Sequence, residues 1–314
     1  MTALTPVFLM KAKPYDPTKD NIEQWFVQEK FDGVRIQIIV NGLDDIRIYS
    51  RNKTKETGTF NEYTEKLPHI VTYLREKLMN MPEMFHTQIF DGEALASNQG
   101  SREKNFTYVT GTLNADDSYT RQCNNELIHI VLFNIPTIEE EYRYVLTYLH
   151  LYFPITGALI TSPETSLNVD SSAMLRFDDI IGNGGEGIIL YNPACKYKFG
   201  RSSCAASKDV LKIKDRKERE VKVIGMVEGT GKDIGTCGAL ICDDGMGKIF
   251  RIGSGLTEGA ATERGSRNWM WAHKDDVPFI IEMYYHSETP DSYRLPIYKR
   301  DRYYDKSPDE MTIG

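Results

Sequence analysis

The sequence predicts two domains, a mixed α+β domain over residues 1–215 followed by a small all-β domain over residues 216–314. Three observations predict this. The chain has 314 residues, more than one small core organises and a length that suits two domains. In the first part, strand-length apolar runs alternate with stretches whose apolar residues recur every three or four positions. Past residue 215 only short strand-like runs remain, separated by Gly and Asp turns, the pattern of a small sandwich or barrel.

Composition narrows the class. Hydrophobic residues make up 40% and charged residues 26% of the chain, ordinary for a soluble globular protein. No apolar run approaches the length of a membrane span. The first residues, Met1 to Pro6, carry neither a charged leader nor a long apolar core, so a cytoplasmic protein without membrane contact is expected. The five cysteines include no Cys-x-x-Cys pair and read as reduced thiols. The six histidines show no metal-ligand spacing and read as structural. A net charge of −7 argues against a protein that coats nucleic acid, yet leaves room for a local basic strip.

In chain order, Ile36–Val40 and Ile46–Tyr49 flank the turn residues Asn41 to Asp45, a hairpin. Residues 61–80 predict a helix, since Leu67, Ile70, Val71, Leu74 and Leu78 share one face. Phe90–Leu95 reads as a strand bearing Asp91 and Glu93. Acids in an apolar strand must be exposed, paired or metal-bound, because burying them bare is costly. Residues 97–107 read as a polar loop and Ile128–Asn134 as a buried strand. Glu139–Phe153 and Asp170–Ile181 read as helices. A glycine turn with Glu186 then leads into the strand Ile188–Leu190. In Val210–Lys214 apolar and cationic residues alternate, so Lys212 and Lys214 share a side. The charged run Asp215–Glu220 has no apolar residue and reads as the linker.

One stretch organises the rest: Gln28-Glu29-Lys30-Phe31-Asp32-Gly33-Val34-Arg35. On a strand, Lys30 and Asp32 would share a face, Gly33 would allow a turn or close approach of a ligand, and Arg35 would offer a fork for phosphate or ribose oxygens. Taken alone the stretch equally fits a solvated hairpin. Four further stretches follow it in order: Ser50-Arg51, Asp91-Gly92-Glu93, Glu186-Gly187 and Lys212-Ile213-Lys214. The set resembles the ordered motifs of covalent nucleotidyltransferases, and the ATP-dependent DNA ligases match it best. Phe133, Phe250 to Thr257, and the run through Arg300, Arg302 and Lys306 also resemble that family, so the likeness covers nearly the whole chain. Two departures stand out. Gln28 occupies a position where the family often has Glu, and one extra residue separates Arg302 from Asp305-Lys306.

The resemblance implies a nucleotidyltransferase (adenylation) domain with mostly antiparallel sheets and an OB-fold barrel after it. It implies an enzyme that seals 5′-phosphate/3′-hydroxyl nicks in double-stranded DNA, through a lysyl-AMP and a DNA-adenylate, with ATP and Mg²⁺ or Mn²⁺, as a monomer. Lys30 would be the nucleophile. Asp32, Glu93 and Glu186 would face the metal, Arg35 and Arg51 the ribose and 5′-phosphate, and Lys212 and Lys214 the α-phosphate. Phe133 would stack on adenine, Ile188 or Ile189 would close its other face, and Gln28 or Glu29 would meet its edge. Arg300, Arg302 and Lys306 would orient the leaving pyrophosphate. Lys53, Lys55, Arg102, Lys104, Lys198, Arg201, Arg264 and Arg267 are candidate DNA contacts. An RNA ligase, an mRNA-capping guanylyltransferase and a non-catalytic OB-fold nucleic-acid-binding protein remain alternatives, and ATP against GTP is not legible from residue physics.

Overall fold

The computed structural model describes residues 3–96, 102–115, 127–200, 206–288 and 291–312. The chain forms two compact units, Met1–Lys214 and Asp215–Gly314.

Among the described residues the first unit contains eleven strands: β1 Lys11–Pro14, β2 Phe26–Glu29, β3 Val34–Asn41, β4 Ile46–Lys53, β5 Phe60–Glu62, β6 Thr87–Ala96, β7 Ile128–Asn134, β8 Ile160–Thr161, β9 Thr165–Leu167, β10 Gly187–Tyr191 and β11 Ala206–Lys214. They make a five-stranded sheet, β1-β11-β10-β2-β9, and a six-stranded sheet, β5-β4-β3-β6-β7-β8. Among these described strands only the β1–β11 and β7–β8 pairs are parallel. The helices are α1 Pro68–Met79, α2 Arg102–Asn114, α3 Tyr142–Tyr152 and α4 Ser172–Gly182.

The pleat of β3 explains the layering. Ile36, Ile38 and Val40 enter the main core with Leu74 and Leu78 of α1 and Leu149 of α3, which leaves Arg35 and Gln37 on the opposite face. Strands β10 and β11 sort the same way: Ile188, Leu190 and Leu211 pack with Ala173 and Ile180 of α4 in a separate cluster, while Ile189, Tyr191 and Val210 face the main core.

Several expectations are corrected. Lys30 to Gly33 do not lie on a strand; they carry the chain from β2 in one sheet to β3 in the other. A Cβ on Gly33 would stand 2.2 Å from the Ala94 carbonyl oxygen, so this glycine serves the approach of β6 rather than of a ligand. The helix expected over 61–80 begins only at Pro68, a residue suited to the first helical turn. Residues 102–107 are helical, not loop. Among the described residues no helix is long and apolar enough to cross a membrane.

The second unit comprises β12 Lys217–Glu228, β13 Cys237–Asp243, β14 Ile249–Ile252, β15 Phe279–Tyr285, β16 Ser287–Glu288, β17 Tyr293–Arg294 and β18 Ile297–Asp301. Its main sheet runs β14-β13-β12-β15-β18, with β16-β17 a separate ribbon. The expected barrel is not closed: the edges meet at a single bridge, Ser254 to Ile297, instead of a ladder. Beside its strands, a short helix, α5 Arg267–Ala272, buries Trp269 and Met270 in the core of the unit. The supposed linker is also shorter than the charged run. Lys217 to Glu220 begin β12 and pair with Tyr285 to Glu282 of β15; long charged side chains sit on a strand when the ladder satisfies its backbone and acids lie within reach.

Candidate active site

The residues gathered in the first unit come from strands of both sheets and from the crossover between them. The main-chain amide of Lys30 donates to the Gly187 carbonyl at 2.8 Å, which fixes where its side chain starts. The Lys30 Nζ donates to Glu186 Oε2 at 2.5 Å, and Lys214 Nζ donates to Glu186 Oε1 at 2.5 Å. Glu186 is 3% exposed, so one buried carboxylate is shared by two ammonium groups. Gly187 follows it with φ +145° and no room for a Cβ beside the Ile213 carbonyl, which keeps Glu186 at the mouth of β10.

Arg35 and Glu93 are direct partners across β3 and β6, and Gln37 pairs with Asp91. Arg35 nevertheless turns to Asp91, making a fork with bonds of 2.9 and 2.6 Å. Asp91 is fully buried and also accepts from the Tyr197 hydroxyl at 2.6 Å. That leaves Glu93 beside the Gly33 amide, 3.3 Å away. Burial raises the Glu93 carboxyl to about 7, against the pull of Lys30, Arg35 and Arg51, with Glu186 pushing it further up. Lys212 is shifted the other way: burial, then Lys214, Lys30 and Arg51, lower its pKa, against Glu186.

These groups border a cavity of about 370 Å³ whose walls include Lys30, Arg51, Glu93, Phe133, Ile189 and Lys212. Phe133 occupies a bulge. Asp91 pairs with Asn134 and Gly92 with Leu132, so Phe133 is the extra residue of β7, where a bulge re-aims a side chain. The Arg35 guanidinium lies 5.2 Å from its ring centroid. A second hollow of about 680 Å³ shares Glu29 and Phe31 but is walled by Leu95, Leu127, Val131 and Leu159 and holds none of the lysines.

Some expected site residues stand elsewhere. Ile188 is fully buried against α4 and cannot close the cavity; its neighbour Ile189 does so. The pleat forces this choice, since adjacent residues of a strand face opposite ways. Gln28 does line the cavity, but its amide nitrogen is committed to Tyr142 at 2.7 Å and Thr165 at 3.0 Å. Glu29 borders both hollows, and burial raises its pKa against the pull of Arg176. Asp32 lies in the crossover and is not part of the cavity wall. Among the described residues no three His, Cys, Asp or Glu side chains converge to hold a metal, so Glu93, Glu186 and Asp32 do not form a preformed three-acid cage. The sequence reading missed Lys11 and Lys13 of β1, and Tyr191, all on the cavity wall. It also missed Tyr197, which ties the Met10 amide to Asp91. A Lys-x-Lys beside a proline carries no periodic signal that singles it out.

Arg300, Arg302 and Lys306 belong to the second unit. Arg300 forks onto Glu282, Arg302 bonds Glu220 at 3.1 Å and Glu282 at 2.9 Å, and Lys306 bonds Glu220 at 2.5 Å. The cations hold Glu282 at about 2, Arg300 foremost. Of the candidate DNA contacts, Arg267 is committed to the carbonyls of Cys237, Gly238 and Gly253, which makes it a structural residue of its unit. Lys198 pairs with Asp209 and Arg264 with Asp301. The Arg102 side chain and Arg201 lie outside the described residues. Cys195, Cys237 and Cys242 are buried; Cys123 and Cys204 lie outside the described residues.

The pH dependence of stability follows from Glu93. Its carboxyl keeps a proton in the fold up to about 7, against 4.5 for an ordinary glutamate. Raising the pH across that interval therefore costs the folded state stability, because the unfolded chain releases the proton first. Glu93→Gln removes the cost. The melting temperature of the variant is expected to gain on the native protein between pH 5 and pH 7.5, in metal-free buffer. A constant difference would contradict the burial of this carboxyl.

Comparison with known proteins then identifies relatives. The family model described as ATP dependent DNA ligase domain matches residues 9–214, and that of the DNA ligase OB-like domain matches residues 228–302. The chain is 25% identical over 278 residues to a DNA ligase of Halobacterium salinarum, covering 81% of this chain and 45% of that protein. It is 28% identical over 139 residues to a DNA ligase of Haemophilus influenzae, covering 42% of this chain and 47% of that protein. The chain thus spans about half the length of these curated relatives. Among solved structures, a Lig E DNA ligase matches with a TM-score of 0.64 at 19% identity, over 94% of this chain and 98% of the other. The Pmar-Lig structure matches with a TM-score of 0.72 at 20% identity, over 95% of this chain and 68% of the other. At these identities the structures speak for the fold.

Proposed function

We infer the activity from the premise that this chain belongs to the ATP-dependent DNA ligase family: it seals nicks in duplex DNA, as a monomer, in three phosphoryl transfers. The observation that carries this reading is Lys30, held by Glu186 at the wall of a cavity that also presents Lys212, Glu93 and Phe133.

In the first transfer the Lys30 amine attacks the α-phosphate of ATP. A nitrogen–phosphorus bond forms, the bond to the β-phosphate oxygen breaks, and pyrophosphate leaves. The amine must shed a proton, and Glu186 Oε2 is the acceptor already in contact with it. In the second transfer an oxygen of the 5′-phosphate at the nick attacks the AMP phosphorus, the nitrogen–phosphorus bond breaks, and Lys30 leaves as the amine. In the third the 3′-hydroxyl displaces AMP. All three develop charge on phosphate oxygens, so fixed cations supply most of the stabilisation. Lys212 and Arg51, on the cavity wall, suit the phosphate and ribose. Phe133 and Ile189, also on that wall, suit the two faces of the base. Lys214 acts through Glu186. Arg300, Arg302 and Lys306 suit pyrophosphate, exchanging their carboxylate partners for it.

Mg²⁺ or Mn²⁺ fits the donor set. A divalent ion of this kind takes one or two carboxylates plus substrate phosphates and keeps several waters, so a three-acid cage is not required. Glu93, a buried carboxyl whose ionised form a nearby cation would stabilise, and Glu186 would hold it. When bound, the ion neutralises phosphate charge.

The test is incubation of the purified chain with α-labelled ATP or GTP and with nicked DNA or nicked RNA. Label from ATP is expected on Lys30, followed by a DNA-adenylate and sealed DNA. Label from GTP alone, or sealing of RNA alone, would replace this reading by a capping or RNA-joining one. Sealing is expected to weaken steeply with salt, since phosphate contacts carry the DNA affinity.

A further inference from the structure

Within the first unit a buried tyrosine touches both walls of the cavity without bordering it. Tyr142, at the start of α3, is 2% exposed. Its hydroxyl donates to the carbonyl oxygen of Phe133 at 3.1 Å and accepts from Gln28 Nε2 at 2.7 Å. Gln28 Nε2 also reaches Thr165 Oγ1 at 3.0 Å. The Tyr142 ring stacks on Tyr191, with centroids 4.1 Å apart and planes 18° from parallel, and Tyr191 lines the cavity.

The bulge makes this contact matter. An extra residue in a β ladder is left without a cross-strand partner, and Phe133 is that residue opposite the Asp91–Gly92 step. Its carbonyl needs a donor from outside the ladder, and the Tyr142 hydroxyl is one. The same side chain therefore pins the bulge that aims Phe133 and backs the ring of Tyr191. Gln28, which itself lines the cavity, holds the hydroxyl through its Nε2 from the opposite sheet.

We propose that Tyr142, oriented by Gln28, is a positioning residue for the nucleobase, setting the width and orientation of the slot between Phe133 and the β10 strand. The proposal rests on the reading that ATP occupies this cavity. It makes the glutamine two positions before the lysine part of a strut behind the slot.

The experiment compares native protein, Tyr142→Phe and Gln28→Leu. ATP affinity is measured by calorimetry in metal-free buffer, and the rate of adduct formation is measured at saturating ATP with Mg²⁺. Loss of one buried hydrogen bond from the strut is expected to weaken ATP binding about five-fold in either variant. The saturated adduct rate should stay within about two-fold, because no group of the reacting centre is changed. Binding of ATP as tight as in the native protein, in whichever variant folds, would overturn the proposal. So would equal losses in affinity and saturated rate, the mark of general loosening. Native protein that binds ATP but forms no adduct would sink the transferase reading alone, since the affinities of the variants still decide the role of Tyr142. Native protein that binds no ATP would sink both.

Discussion

Lys30→Ala is expected to lose adduct formation with ATP by more than about a thousand-fold, and with it the sealing of ordinary nicks. The size follows from chemistry: removing the nucleophile removes the covalent route and leaves only what the remaining site does for solution attack. Lys212 and Lys214 are cations in the same site, but a different attachment point moves the nitrogen by far more than the tolerance of an in-line displacement. The fold should survive. Glu186 keeps its bond to Lys214 when Lys30 is gone, so no buried charge is stranded. Melting within a few degrees of the native protein, together with loss of label, is the expected result. A nick supplied already adenylated should still be sealed, because the last transfer does not require the amine as nucleophile. Full labelling of Lys30→Ala would remove the basis of the proposed activity.

Asp91→Ala has the largest expected effect on stability. Asp91 is fully buried and accepts from both Arg35 nitrogens and from the Tyr197 hydroxyl. Its charge keeps the Arg35 guanidinium protonated even though burial opposes that. Removing one partner of a buried pair leaves the other charge uncompensated and costs about 3–5 kcal/mol. For a unit of this size that is a fall of about 10 °C in melting temperature, measurable by calorimetry as a shift of the transition that carries the first unit. Asp91→Asn keeps an acceptor for the Arg35 fork and should lose less. A melting temperature within 2 °C of native for Asp91→Ala would mean that water or another group takes over the Arg35 fork.

Much of the fold was legible. The strands 36–40 and 128–134, and the cores of α1, α3 and α4, follow from apolar periods of two and of three to four, because burial rewards each residue according to the face it occupies. The shared side of Lys212 and Lys214 came from the same rule, since Leu211 and Ile213 had to enter a core. The second unit was harder. The sequence pointed to strands at 221–227, 239–242, 248–252 and 279–285 but not to β16, β17 or β18, and whether curled sheet edges join by a ladder or by one bridge depends on contacts between residues far apart in the chain. Lys217 to Glu220 looked like linker because a charged run has no apolar period, yet β15 pairs with it as strand, and Lys299 and Arg302 neutralise its acids.

Covalent order along the chain was enough to specify which residue types meet in the site: a lysine before a glycine crossover, paired acids on one strand, alternating lysines on another. Those are properties of single segments, and a period of two or a turn residue encodes them locally. Which partner each side chain took was decided only by the tertiary packing. That packing turned Gln28 to Tyr142, gave Asp91 rather than Glu93 to Arg35, put Ile189 and not Ile188 on the cavity, and brought in Lys11, Lys13 and Tyr197. The physical reason is that a hydrogen bond or an ion pair needs atoms within about 3 Å, and no local pattern reports what lies across a gap closed by residues a hundred positions away.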